Sequence, residues 1–114
     1  MDGKVKTWKV KFFQTARGDL PVEDFIKEQD RPTAAKISSY IQLLKTDGPY
    51  LKPPHIKKLQ DKLYEIRISG KVAIRIFYTV KSGEYYLLHA FKKKTQKTPT
   101  QEIKIALDRI NEIV

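Results

Sequence analysis

At 114 residues with a net charge of +10, the chain is expected to form one domain (residues 1–114), with a core that needs no covalent staple. The absence of cysteine excludes a disulfide framework, a thiolate nucleophile and a cysteine zinc site. No segment reaches the length of a membrane span, and Met1-Asp2-Gly3-Lys4 is not followed by the apolar run of a secretory leader, so a soluble cytoplasmic protein is expected.

Lys4 to Gln14 reads as a first strand, with Val5, Trp8, Val10, Phe12 and Phe13 as its apolar mass and lysines 4, 6, 9 and 11 on a wet face or edge. After a turn at Thr15–Asp19, Leu20-Pro21-Val22-Glu23 opens a helix, with proline near its first position and acids in its first turn. Phe25 and Ile26 are its core residues, and Gln29–Thr33 breaks it. A second helix is predicted from about Thr33 to Lys45, because Ala34, Ile37, Tyr40, Ile41 and Leu44 recur at helical spacing. Asp30 or Thr33 can cap it, and Asp47-Gly48-Pro49 ends it.

Tyr50 to Lys62 is a loop or short strand stiffened by Pro53-Pro54, with Ile56 and Leu59 turned inward and His55 an exposed loop histidine or a site residue. Three strands then follow. Leu63 to Ser69 alternates, Val72 to Val80 is rich in β-branched and aromatic residues, and Tyr85 to Phe91 runs into Lys92-Lys93-Lys94. The turns at Ser69-Gly70-Lys71 and Lys81-Ser82-Gly83 make them antiparallel. Pro99 to Ile113 is a closing helix, with Thr98 as N-cap and a stripe of Ile103, Ala106, Leu107, Ile110 and Ile113.

The charge is unevenly distributed. Residues 1–51 carry nine Lys/Arg and seven Asp/Glu, residues 52–97 carry twelve and three, and residues 98–114 carry two and three. Nearly all the excess therefore lies on the predicted sheet and the segment leading into it, where it would attract a polyanion such as nucleic acid, or an acidic protein. Within that sheet, Val72, Ile74, Ile76, Tyr78 and Val80 share one face of their strand and Ala73, Arg75, Phe77 and Thr79 the other. Arg75 is thus a guanidinium set among apolar neighbours, and Arg67 is placed similarly on the preceding strand. A guanidinium so placed is costly unless it meets an anion. Glu65 or Glu84 could serve either arginine singly; for the pair together, the local shortage of carboxylates points to a built phosphate site.

The run KLYEIRISGKVAIRIFYTV, followed by YYLLHAFKKKTQKTPTQEIKIALDRI, resembles the HigB/RelE superfamily of bacterial toxins, in particular its phage Gp49-like branch. The pattern is a strand with L-x-E-[IL]-R, a second with R-[IV]-F-Y, a third ending H-x-F-x-K-K, a T-P turn and a helix. It covers about half the chain, and its combined spacing is specific. The resemblance implies an α+β, RelE-like fold: an antiparallel or mixed sheet, two N-terminal helices packed on one face, and a short C-terminal helix, in the order β-α-α-β-β-β-α. It further implies a type II toxin that cleaves mRNA in the ribosomal A site, has that mRNA and ribosomal RNA as binding partners, and is held inactive by a cognate HigA-like, helix-turn-helix antitoxin in a hetero-oligomer.

Metal-free RNA cleavage by internal transfer needs a base for the 2′-hydroxyl, cations for the phosphate and an acid for the leaving 5′-oxygen. The chain offers no carboxylate cluster suited to magnesium, and His55 and His89 match no zinc spacing, so no metal or cofactor is expected. Arg67 and Arg75 are the transition-state cations. By position, the resemblance makes Lys93 the basic residue after the third strand, flanked by Lys92 and Lys94, any of which could protonate the leaving group. Glu65 and His89 are candidate bases, with an ion pair and a core position as their respective alternatives. Lys57, Lys58, Lys62, Lys71, Lys92 and Lys97 are the expected RNA and ribosome contacts, Lys57-Lys58-Leu59 matching a K-x-L of the resembled family. Tyr78, Tyr85 or Tyr86 would supply base stacking. A ParE-like gyrase inhibitor and a non-enzymatic basic binding module are the competing readings.

Overall fold

The computed structural model describes residues 6–96 and 99–113. Its elements are β1 (Val10–Phe12), α1 (Pro21–Lys27), α2 (Arg31–Asp47), a short 3-10 turn at Gly48–Tyr50, β2 (Ile56–Gln60), β3 (Leu63–Ile68), β4 (Ile74–Lys81), β5 (Glu84–Lys92) and α3 (Thr100–Glu112). The fold is mixed α+β, with a five-stranded sheet in the order β1-β5-β4-β3-β2. β1 runs parallel to β5, and the other neighbours are antiparallel.

The expected element order lacks one strand. Ile56–Gln60 forms β2 and pairs with β3, so four strands rather than three follow the helices. Its signal is faint in the sequence because a register shift between Lys58 and Gln60 breaks its alternation. The first strand is shorter than expected: among the described residues only Val10–Phe12 are strand, while Trp8 instead donates its backbone N–H to Lys45. Lys4 and Val5 lie outside the described residues.

The helices follow local chemistry. Pro21 and Pro32 each sit in a first turn, where a missing N–H costs nothing, so Arg31-Pro32 starts α2 rather than ending α1. Asp30 caps α2 by accepting the Thr33 N–H at 2.8 Å. Gly48 ends it with φ +51°, packed so tightly on Trp8 that a Cβ would come within 2.3 Å of the indole. Thr98 lies outside the described residues, and Pro99 is the N-cap of α3 rather than its first helical residue.

Each face of the sheet has its own apolar layer. One face presents Ile66, Ile68, Ile74, Ile76, Tyr78 and Leu87 to Val22 of α1 and to Ile37, Ile41 and Leu44 of α2. The other presents Leu63, Phe77, Leu88 and Phe91, with Phe13, to Ala106, Ile103, Leu107 and Ile110 of α3. A bulge in β5 changes its alternation: Phe77 pairs with His89 but Tyr78 with Leu87. His89 therefore shares its face with Phe91 but not with Leu87, contrary to strict alternation. Among the described residues, no helix is long and apolar enough to cross a membrane.

Candidate functional site

α3 covers only part of its face. It runs back along β5, with Glu102 in its first turn beside His89 and Ile113, just past its end, beside Lys81. Among the described residues, the β3 C-terminal end, the β4 N-terminal end and the segment after β5 remain open beyond the start of α3. Arg67, Ala73, Arg75, Lys93, Lys94, Thr95 and Gln96 line a concavity there.

The register explains the grouping. Arg67 pairs with Arg75, and Arg75 with Phe91, so these three form one row across the sheet. Lys57, Glu65, Phe77 and His89 form the adjacent row on the same face. Lys93 closes the site by donating its backbone N–H to Ala73 at 2.8 Å. Arg75 is 8% exposed and Glu65 only 2%. Glu65 Oε1 stands 3.7 Å from Arg67 Nε, and Oε2 stands 3.7 Å from Arg75 Nε. Arg75 also donates from Nη1 to the Ile74 carbonyl at 3.1 Å.

The electrostatics follow from this crowding. Burial lowers the Arg75 pKa, opposed by Glu65 and reinforced by Arg67. The Lys93 amine is lowered first by burial and then by Arg75, with Arg67 and Lys57 adding to the effect and Glu65 opposing it. Among the described residues, a single carboxylate thus faces Arg67, Arg75 and Lys93, and Lys57 is close enough to be felt. Glu84, the other carboxylate considered for the arginines, is instead paired with Lys11 at 2.8 Å and Lys9 at 3.6 Å.

The remaining expected site residues scatter. Lys58 turns to the opposite face, 6.0 Å above the Tyr64 ring. Lys62 sits at the far end of the sheet, near Thr79–Lys81 and the end of α3. Lys71 and Lys92 act on Asp30 at the start of α2, behind the sheet. Lys97 lies outside the described residues. Tyr78 and Tyr85 are buried on the face covered by α1 and α2, Tyr78 stacked on Tyr64 and tilted against Tyr85, and Tyr86 contacts Glu84, so none faces the concavity. His55 is exposed and edge-on to Tyr40. Among the described residues, no three His, Asp or Glu side chains gather as a metal site would require.

His89 is part of a clamp that the sequence reading missed. Its Nε2 lies 2.5 Å from Glu102, its ring stacks on Phe91 at 5.6 Å, and Arg109 reaches both its Nδ1 (3.4 Å) and the Leu88 carbonyl (2.7 Å). Glu102, Ala106, Arg109 and Ile113 recur at helical spacing, which was the available signal. Burial is the largest effect on His89 and lowers its pKa; Glu102 opposes the shift and Arg109 adds to it. The unfolded state then binds the proton more readily, so the stability held by neutral His89 falls as pH drops below about 6.5. We predict that His89→Gln flattens that acidic limb in thermal melts taken from pH 8 to pH 5. An unaltered limb would remove His89 as its source.

The comparisons with known proteins bear on this geometry. Residues 24–111 match the family described as phage-derived protein Gp49-like (DUF891), a family of RelE/HigB-like toxins. No curated protein matches the chain. The matched span contains α2, β2 to β5 and the described part of the concavity, and membership implies a cognate antitoxin as partner. The chain belongs to the Gp49-like family of RelE/HigB-like toxins.

Proposed function

We propose that this toxin is a ribosome-dependent mRNA endoribonuclease of the HigB type, which stops translation by cutting mRNA in the ribosomal A site without a metal. The observation that carries the reading is the Arg67–Arg75–Lys93 cluster at the end of the sheet, which among the described residues is uncovered and balanced by one buried carboxylate. Such a site suits a phosphodiester whose negative charge grows in the transition state, where fixed guanidiniums contribute several kcal/mol. Lys93, half-buried and with its pKa lowered, is the proton-transfer group, and Lys94 beside it holds the flanking phosphate. In the proposed step the 2′-hydroxyl loses its proton to solvent as its oxygen attacks phosphorus, the P–O5′ bond breaks, Lys93 protonates the departing 5′-oxygen, and the products are a 2′,3′-cyclic phosphate and a 5′-hydroxyl. Lys58, Lys62, Lys71 and Lys92 serve as ribosome contacts outside the cleavage site, and a HigA-like antitoxin opposes the activity in the cytoplasm.

The test is to incubate the protein with an mRNA either free or loaded on ribosomes, in the magnesium that keeps ribosomes assembled. Cleavage confined to the loaded mRNA, with cyclic-phosphate ends, is the expected result. Intact mRNA in both cases would refute it.

Lys57 shares the site face and faces Glu65 across the β2–β3 pair. Lys57→Ala is expected to weaken ribosome or RNA binding and to reduce the slope of log K against log salt by about 1, with little change in rate at saturation. Titrations at several salt concentrations give the slope, and an unchanged one would remove Lys57 from the contact surface.

A further inference from the structure

We propose that Glu65 is the positioning residue of the cationic site: a buried carboxylate that holds Arg67 and Arg75 by their Nε sides so that their terminal nitrogens face the concavity. The inference rests on the phosphate-site reading but not on ribosomal cleavage itself.

The geometry gives three reasons. First, Glu65 is 2% exposed and does not line the concavity, whereas Arg67, Arg75 and Lys93 do. A phosphodiester resting there touches the cations and not the carboxylate. Second, the two carboxylate oxygens are divided between the two guanidiniums, Oε1 toward Arg67 Nε and Oε2 toward Arg75 Nε, both at 3.7 Å. A bidentate pair with either arginine would occupy that arginine's donor fork; sharing leaves the terminal nitrogens of Arg67 and Nη2 of Arg75 for an anion, while Arg75 Nη1 is held by the Ile74 carbonyl. Third, Oε2 and Arg75 Nε are buried and, among the described residues, make no hydrogen bond. Opposite charges held near each other just beyond bonding distance steer orientation while leaving the guanidinium able to shift toward a ligand.

The sheet fixes the carboxylate in turn. Glu65 lies in the middle of β3, between Lys57 on β2 and Phe77 on β4, with fully buried Ile66 as its chain neighbour. Its backbone cannot move without displacing the pairing on either side. Arg67 and Arg75, directly opposite each other, would repel if nothing stood between their guanidiniums, and Glu65 is the only acid among the described residues that is ion-paired to either.

Removing the negative charge while keeping the shape separates this role from its rivals. Glu65→Gln is expected to bind inorganic phosphate as tightly as wild type or more tightly, because the site gains net positive charge. The Arg67 and Arg75 Nε–Hε signals in NMR should lose their separate, sharp positions. Single-turnover cleavage on programmed ribosomes should fall about 10- to 100-fold, as expected when charged groups are misplaced by an ångström or so. The acidic limb of the pH–rate profile should stay where it is. Glu65→Asp, which keeps the charge, should recover sharp arginine signals and part of the rate. A displaced acidic limb would make Glu65 the general base and overturn the proposal. Loss of phosphate binding in step with a lowered Tm, or an Asp variant no better than Gln, would reduce it to a structural ion pair and overturn it as well. Wild-type protein that shows ordered arginine signals and binds phosphate, yet cuts no RNA, upholds the positioning role and retires the ribonuclease reading.

Discussion

Arg75→Lys should lose about 100- to 1000-fold in RNA cleavage while the protein remains folded, the range seen when one fixed donor is removed from a developing anion. Arg75 is set by the sheet: it pairs with Arg67 and Phe91, the residue is 8% exposed, and Nη1 is tied to the Ile74 carbonyl. Lysine keeps the charge beside Glu65 and so avoids stranding a buried carboxylate, a penalty that Arg75→Ala would carry. What lysine lacks is the planar fork that can hold two phosphate oxygens. Rates on programmed ribosomes, taken beside thermal melts, check this. A fully active lysine variant would show that charge alone is required. A large fall in Tm would show that Arg75 serves the fold.

The second large effect is on stability. Phe77→Ala is expected to cost about 3–5 kcal/mol, typical of truncating a buried aromatic. A small domain has about 5–15 kcal/mol in total, so much of the folded population is at stake. Phe77 is fully buried between α3 and the sheet, packs edge-on to Phe91 at 5.1 Å, and contacts the layer formed by Leu63, Leu88 and Ala106. It also lies between Glu65 and His89 across the strands, so it joins the cationic site to the clamp that holds α3. Urea unfolding read by circular dichroism gives the number. A loss below about 1 kcal/mol would mean that α3 contributes little to the native state, contrary to its packing.

These two positions mark what the sequence makes legible. Arg75 and Arg67 could be put on one face because β3 and β4 alternate cleanly and a glycine turn joins them, so a period of two carries the argument. The same rule fails wherever a bulge intervenes. Strict alternation would put Leu87 and His89 on one face, which the β5 bulge prevents, and it left Tyr50 to Lys62 undecided between loop and short strand. The lysines are harder. Lys92, Lys93 and Lys94 look like one cluster in the sequence, but alternation sends Lys92 behind the sheet toward Asp30 and Lys93 into the site. Lys57 and Lys58 divide in the same way, Lys58 lying over Tyr64. The Glu102–His89–Arg109 clamp joins residues 13 and 20 positions apart through the docking of α3; helical spacing puts Glu102 and Arg109 on one face but does not name His89 as their partner. Family membership extends the account to a toxin with an antitoxin partner, while the proposed cleavage is argued from the arginine site alone.

The most direct test is inducible expression of the wild type beside Arg75→Lys in a bacterium, followed by mapping of mRNA 5′ ends. The account predicts growth arrest and new 5′-hydroxyl ends in phase with codons for the wild type alone. Arrest without new ends, or new ends that persist in the Arg75 variant, would contradict it.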